Sequence, residues 1–162
     1  AYFPNVPLIA HTGREYLWYD DLIRARRVMI NFFSFVHDEH YGVIDNLAAA
    51  DRLAGERGID RMTMLSIAVD APALEVLAEF VAPLEASNRW LFLTGTQANI
   101  ELIRSFLFIQ PAGSVHGDAP SHNHGDAHSL AVLRYGNESL ARWGAFSALS
   151  APESVVRRFD WV

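Results

Sequence analysis

Two histidines, His37 and His40, stand three residues apart in the segment Phe35-Val-His37-Asp-Glu-His40-Tyr41-Gly. If a helix begins there, positions i and i+3 share one face and two imidazoles can bind one ion. On these residues alone a plainer reading stands beside it, a solvated loop in which Asp38 and Glu39 favour a helix N-terminus. Tyr41 is a secondary candidate, as a weak axial ligand, against packing with its hydroxyl in water. Further along, the run from His116 to His128 holds four histidines and two aspartates within thirteen positions. It reads either as a polar loop that binds metal weakly and non-specifically, or as a loop that closes over an ion with His116, His122, His124 and Asp126 as additional donors. Asp126 alternatively orients His128 from behind. Neither cluster has the spacing or the placed glutamate of a zinc hydrolase helix, and neither Ser34 nor Ser129 sits in a nucleophile elbow. Asp70, at the predicted carboxyl end of a strand, is where α/β proteins gather their sites, but capping the helix that follows is the favoured role.

Composition limits what these residues can do. Cysteine is absent, which excludes a structural disulfide, thiol redox chemistry and thiolate ligation. Sulfur ligation is left to Met29, Met62 or Met64. Acidic residues outnumber basic ones 19 to 13, giving a net charge of −6, and every basic residue is an arginine. The arginines form no stripe that would neutralise a run of phosphates, so nucleic acid is not an expected partner. A hydrophobic fraction of 51% with 20% charged residues suits a globular chain, and no apolar run approaches the roughly 18 residues of a membrane span. The sequence opens at Ala1-Tyr-Phe-Pro-Asn-Val without a signal-peptide pattern, so the expectation is a leader or anchor removed or never present.

The elements that must position the histidines follow from periodicity. Residues 28–35 form an apolar, β-rich run expected as a central strand covered on both faces. Ile44, Leu47 and Leu53 recur near helical spacing between residues 41 and 57, with Gly58 as the stop. Residues 62–69 predict a second buried strand, after which Asp70 caps and Pro72 starts a helix carrying Leu74, Leu77, Val81 and Leu84. A third strand over 90–94 and a helix over 97–108 follow, then a Gly-, Pro- and His-rich loop at about 110–127. Residues 129–135 predict a strand, Gly136-Asn137 its turn, and Pro152 a final helix start. Asn137-Glu-Ser139 matches a glycosylation sequon but belongs to that turn. The aromatic set Phe32, Phe33, Phe35, Trp90 and Phe92 is core-like. Strands alternating with helices over one domain, residues 1–162, argue for a layered α/β sheet with a late antiparallel edge.

Several of these segments resemble the Sco/SenC family of copper-handling proteins, relatives of thioredoxin and peroxiredoxin. They are Phe3-Pro-Asn-Val-Pro-Leu with His11-Thr-Gly-Arg14, Val28-Met-Ile-Asn-Phe-Phe33, Met64-Leu-Ser-Ile-Ala-Val-Asp70, Trp90-Leu-Phe-Leu-Thr-Gly95 and His128-Ser-Leu-Ala-Val-Leu-Arg-Tyr-Gly-Asn-Glu138. The departure lies at the family's Cys-x-x-x-Cys pair: His37 stands at the first cysteine position and Tyr41 at the second, with His40 one position earlier. The family's third ligand, a histidine at the start of a late strand, matches His128. The resemblance implies a thioredoxin-like α/β fold of the Sco or peroxiredoxin type, a mixed sheet flanked by helices. It also implies copper binding, delivery or homeostasis in the periplasm or on the outer face of a bacterial membrane, with His37, His40 and His128 as ligands. Partners on this reading are a metal ion and a copper-protein client or another envelope copper carrier, with membrane contact only through a removed N-terminal anchor. Without thiolates the ligand set favours Cu(II) over Cu(I), and zinc or nickel also suits imidazole. Two alternatives stand beside it: a mononuclear copper enzyme acting on oxygen or peroxide, and a metal-free member serving as an interaction module.

Overall fold

The computed structural model describes residues 3–109, 130 and 132–161, and of these the side chains of His40, Tyr41, Phe108, Ile109, Asp160 and Trp161 are outside the description. Its strands are β1 (Pro7–Ala10), β2 (Glu15–Leu17), β3 (Arg27–Phe33), β4 (Met62–Ala68), β5 (Trp90–Thr94), β6 (Val132–Asn137) and β7 (Arg142–Ser147). They form one sheet in the order β2-β1-β5-β4-β3-β6-β7. The three central strands β3, β4 and β5 are parallel, whereas β1–β2 on one edge and β6–β7 on the other run antiparallel. The described helices are α1 (Phe35–Tyr41), α2 (Val43–Glu56), α3 (Leu74–Val81), α4 (Gln97–Ile109) and α5 (Pro152–Trp161).

Alternation along the central strands assigns the two faces of the sheet. Met29, Phe33, Met62, Met64, Trp90 and Phe92 form one core with α2, α3 and α5, while Val28, Ile30, Phe32, Leu65, Ile67 and Leu93 form the other with α4 and the π-helical turn Trp18–Ile23. Both faces are covered, which is why these strands read as unbroken apolar runs. Asn31 and Ser66 interrupt the pattern on one face. Ser66 Oγ donates to Asn31 Oδ1 at 2.5 Å and accepts from Trp90 Nε1 at 2.9 Å, so a polar line crosses the buried sheet. Asp51 of α2, 3% exposed, accepts from Ser87 N–H, Ser87 Oγ and Arg89 Nε, which fixes that helix to the approach to β5.

Several expectations are corrected. Phe35 is the first residue of α1 rather than the last of a strand, because its ring leaves the sheet to stack on Phe80 of α3 at 4.9 Å. The helix after β4 begins at Leu74, not Pro72, with Ala73 at its N-cap and no side-chain cap bond. Pro72 instead offers its carbonyl to Thr94 Oγ1 at 2.7 Å. Gly136 and Asn137 are strand residues of β6, and the turn is the 3-10 segment Glu138–Leu140. Glycine serves there to admit the Trp143 indole of β7, which a Cβ at position 136 would strike. Asn137 is 7% exposed and its side chain accepts from Ser139 N–H at 3.1 Å, so the sequon is a buried turn device. Gly58, at φ 69, ends α2 as its position predicts. No described helix is long and apolar enough to cross a membrane.

Candidate metal site

The chain leaves β3 at Phe33, passes through extended Ser34 (φ −123, ψ 139) and enters α1, whose first intrahelical bond runs from Asp38 N–H to Ser34 O at 2.9 Å. The helix starts here because Phe35 is held inward. Its ring contacts Phe33 at 5.8 Å and Phe80 at 4.9 Å, and Phe33 also stacks on Phe80 at 5.5 Å. Ser34 makes no side-chain cap bond. The acceptor for the Phe35 N–H comes from the turn after β4 instead, where Asp70 Oδ2 lies 3.1 Å away. Asp70 therefore serves α1, not the helix that follows it in sequence.

Gly42, with φ 64, closes α1 by returning its N–H to Asp38 O at 2.8 Å, and α2 begins at the next residue. A left-handed residue at this point is the usual helix stop, and glycine adopts it without Cβ strain. Since glycine has no side chain to cap α2, Asp38 reaches forward and its Oδ1 accepts the Ile44 N–H at 2.7 Å. Burial raises the Asp38 carboxyl above its usual range, an effect opposed by the amides of Ile44 and Val43 and by neighbouring His37. This carboxylate is thus committed to the first turn of α2, from a position on α1 and not in the solvated loop of the plainer reading.

His37 lies on α1, half-buried, with Nε2 shielded from solvent. His40 and Tyr41 lie on the same helix, and three residues of helical advance bring positions 37 and 40 onto one face. The conditional attached to the histidine pair, that a helix begins at this junction, is met. His128, His116, His122, His124 and Asp126 lie outside the described residues. Among the described residues no three His, Cys, Asp or Glu side chains converge as a metal-binding group.

Topology defines which sheet end the junction occupies. β6 is antiparallel to β3, with Arg134 opposite Ile30, so its first residue, Val132, lies toward the carboxyl end of β3 where α1 starts. Val132 pairs with Ser147, and the chain beyond β7 is tied to α2 by Asn46 Nδ2, which donates to Ala148 O at 3.0 Å and Ser150 O at 2.7 Å. The start of α2 and the start of β6 therefore share one end of the molecule. Sequence reasoning missed the forward cap by Asp38 and the cross-strand cap by Asp70. Gly42 after His-Tyr was the available signal for the first, since glycine punctuates helices; nothing local announces the second.

No protein-family model matches the chain, and no curated protein matches it by sequence. Solved structures do. A SCO1/SenC family lipoprotein from Bacillus anthracis str. Ames superposes with a TM-score of 0.69 at 16% identity, covering 98% of this chain and 93% of that one. The fold is thioredoxin-like, in the form seen in Sco proteins. Yeast Sco1 with copper bound gives a TM-score of 0.66 at 16% identity over 94% of this chain and 85% of that one. A thiol:disulfide interchange protein of the thioredoxin family from Chlorobium tepidum TLS gives 0.63 at 13% identity, over 98% and 93%. The mixed sheet with helices on both faces and the Sco-like architecture expected from the sequence are both present, on a chain without cysteine.

Proposed function

We propose that this protein is a Sco-like copper-binding protein of the cell envelope that holds its ion through histidines in place of a cysteine pair. One observation carries the reading: α1, entered directly from the central strand, carries His37 and His40 three residues apart in a fold shared with copper-bound yeast Sco1. The donor set fits such an ion. Neutral imidazoles suit Cu(II), Zn(II) and Ni(II), and a chain lacking thiolates loses the preference for soft Cu(I). Two imidazoles leave the coordination incomplete, and the third donor in this reading is His128, on the strength of the family resemblance alone. An envelope location draws support from the lipoprotein neighbour. Copper is cargo here, taken from or passed to another copper protein, and Asp38 and Asp70 are framework rather than ligands.

The test is direct. Purified protein loaded with Cu(II) and passed over a desalting column should retain one equivalent by elemental analysis and give one electron paramagnetic resonance signal with nitrogen hyperfine structure. Retention of well under one equivalent, or a signal without nitrogen coupling, overturns the proposal.

A further inference from the structure

The residues on either side of Asp70 are held by bonds that do not serve helix α3. Val69 N–H continues the β3–β4 ladder by donating to Phe33 O at 2.9 Å, and Val69 O accepts from Gln97 Nε2 at 3.2 Å. Ala71 follows in the left-handed region, φ 50, and its N–H returns to Ala68 O at 3.2 Å. Pro72 O is fixed by Thr94 Oγ1 at 2.7 Å. An alanine at positive φ is strained, and such strain persists only where the surroundings impose it. None of this caps α3, which starts at Leu74 without a side-chain acceptor. Its effect is to turn Asp70 back across the end of β3, where Oδ2 receives the Phe35 N–H that Ser34 leaves uncapped.

We infer that Asp70 is the positioning residue of the metal-binding helix: from the turn after the neighbouring strand its carboxylate fixes the first turn of α1, and so the direction of the helix that carries positions 37 and 40. This deepens the copper reading and rests on it. A helix of seven residues broken from α2 at Gly42 has little cooperativity of its own, so its direction depends on such outside bonds. Phe35 in its aromatic pocket fixes one side of that turn, and Asp70 fixes the backbone.

Three variants test it: Asp70→Ala removes the acceptor, Asp70→Asn keeps an acceptor oxygen without the charge, and Asp70→Glu shifts the acceptor by one methylene. In the metal-free protein, Asp70→Ala should speed hydrogen exchange at the Phe35 amide and move the His37 ring resonances. Its copper affinity, from chelator competition, should fall about tenfold with changed hyperfine couplings, the scale of losing a group that orients a ligand. Asp70→Asn should restore the wild-type spectrum and come within about threefold of wild-type affinity. A purely structural Asp70 would lower stability in the variants while the bound ion kept its wild-type spectrum, and that result overturns the inference, as does unchanged Phe35 exchange in Asp70→Ala. Should Asp70→Ala not fold, Asp70→Glu decides: altered couplings support the inference, and a wild-type spectrum overturns it. If wild-type protein retains no copper while Asp70→Ala still frees the Phe35 amide and shifts His37, the copper reading fails and the positioning of α1 stands.

Discussion

The helix under His37 and His40 was legible: their spacing needs only a helix to bring the two positions to one face, and the structure supplies it as α1. The aspartates were not readable in the same way. Asp38 is used by a helix that begins after a glycine, and Asp70 by an amide 35 residues earlier, a contact that exists only once β3 and β4 lie side by side. At this scale the proposal predicts unequal histidines. Changing His37→Ala or His128→Ala should weaken copper binding by about a hundredfold or more, roughly 2.7 kcal/mol. Replacing His116, His122 and His124 together should cost about tenfold or less, as expected of groups that only raise local metal concentration. Competition with a coloured chelator ranks the variants, with circular dichroism to show that each is folded. Loss of stoichiometric copper in the triple variant, with retention in His37→Ala, would move the site to residues 110–127.

Among elements, long apolar strands were legible and junctions were not. Runs such as 28–33 and 62–68 are buried on both faces and tolerate little else, whereas a glycine at a junction answers to either of two needs that the sequence does not distinguish. Gly42 meets a conformational need: φ is 64 and nothing lies within 4 Å of the site of a Cβ. Gly136 meets a steric one, since a Cβ would run into the Trp143 ring and approach Arg142 O to 2.7 Å. Reading Gly136 as a turn followed from assigning it the first need. The two should separate on substitution. Gly42→Ala adds left-handed strain alone, about 1 kcal/mol, while Gly136→Ala forces β6 and β7 apart and should cost about 2–3 kcal/mol. Urea unfolding of the two variants measures the order, and a Gly42→Ala change as large as that of Gly136→Ala would refute the distinction.

For the molecule as a whole, the order of strands and helices was legible because each central strand is followed by a helix, but the closure of the β1 edge was not. His11, one residue past β1, extends the β1–β5 ladder that makes it. Its N–H donates to Phe92 O at 2.8 Å, its Nδ1 accepts the Phe92 N–H at 3.2 Å, and its ring meets the Phe92 ring edge-on at 5.6 Å. Such a ring must be neutral to accept at Nδ1, and burial accordingly holds its pKa below the ordinary 6.5. The unfolded chain therefore takes up a proton near 6.5 that the folded chain refuses until lower pH. The stability owed to the neutral ring is complete above that value and is lost as pH falls from 6.5 toward the folded pKa. His11→Asn places an oxygen where Nδ1 stood, keeping the acceptor and removing the titration. Urea midpoints at about pH 7.5 and about pH 5.5 should therefore fall further for wild type than for His11→Asn, and equal decreases would show that the latch between β1 and β5 does not depend on the proton.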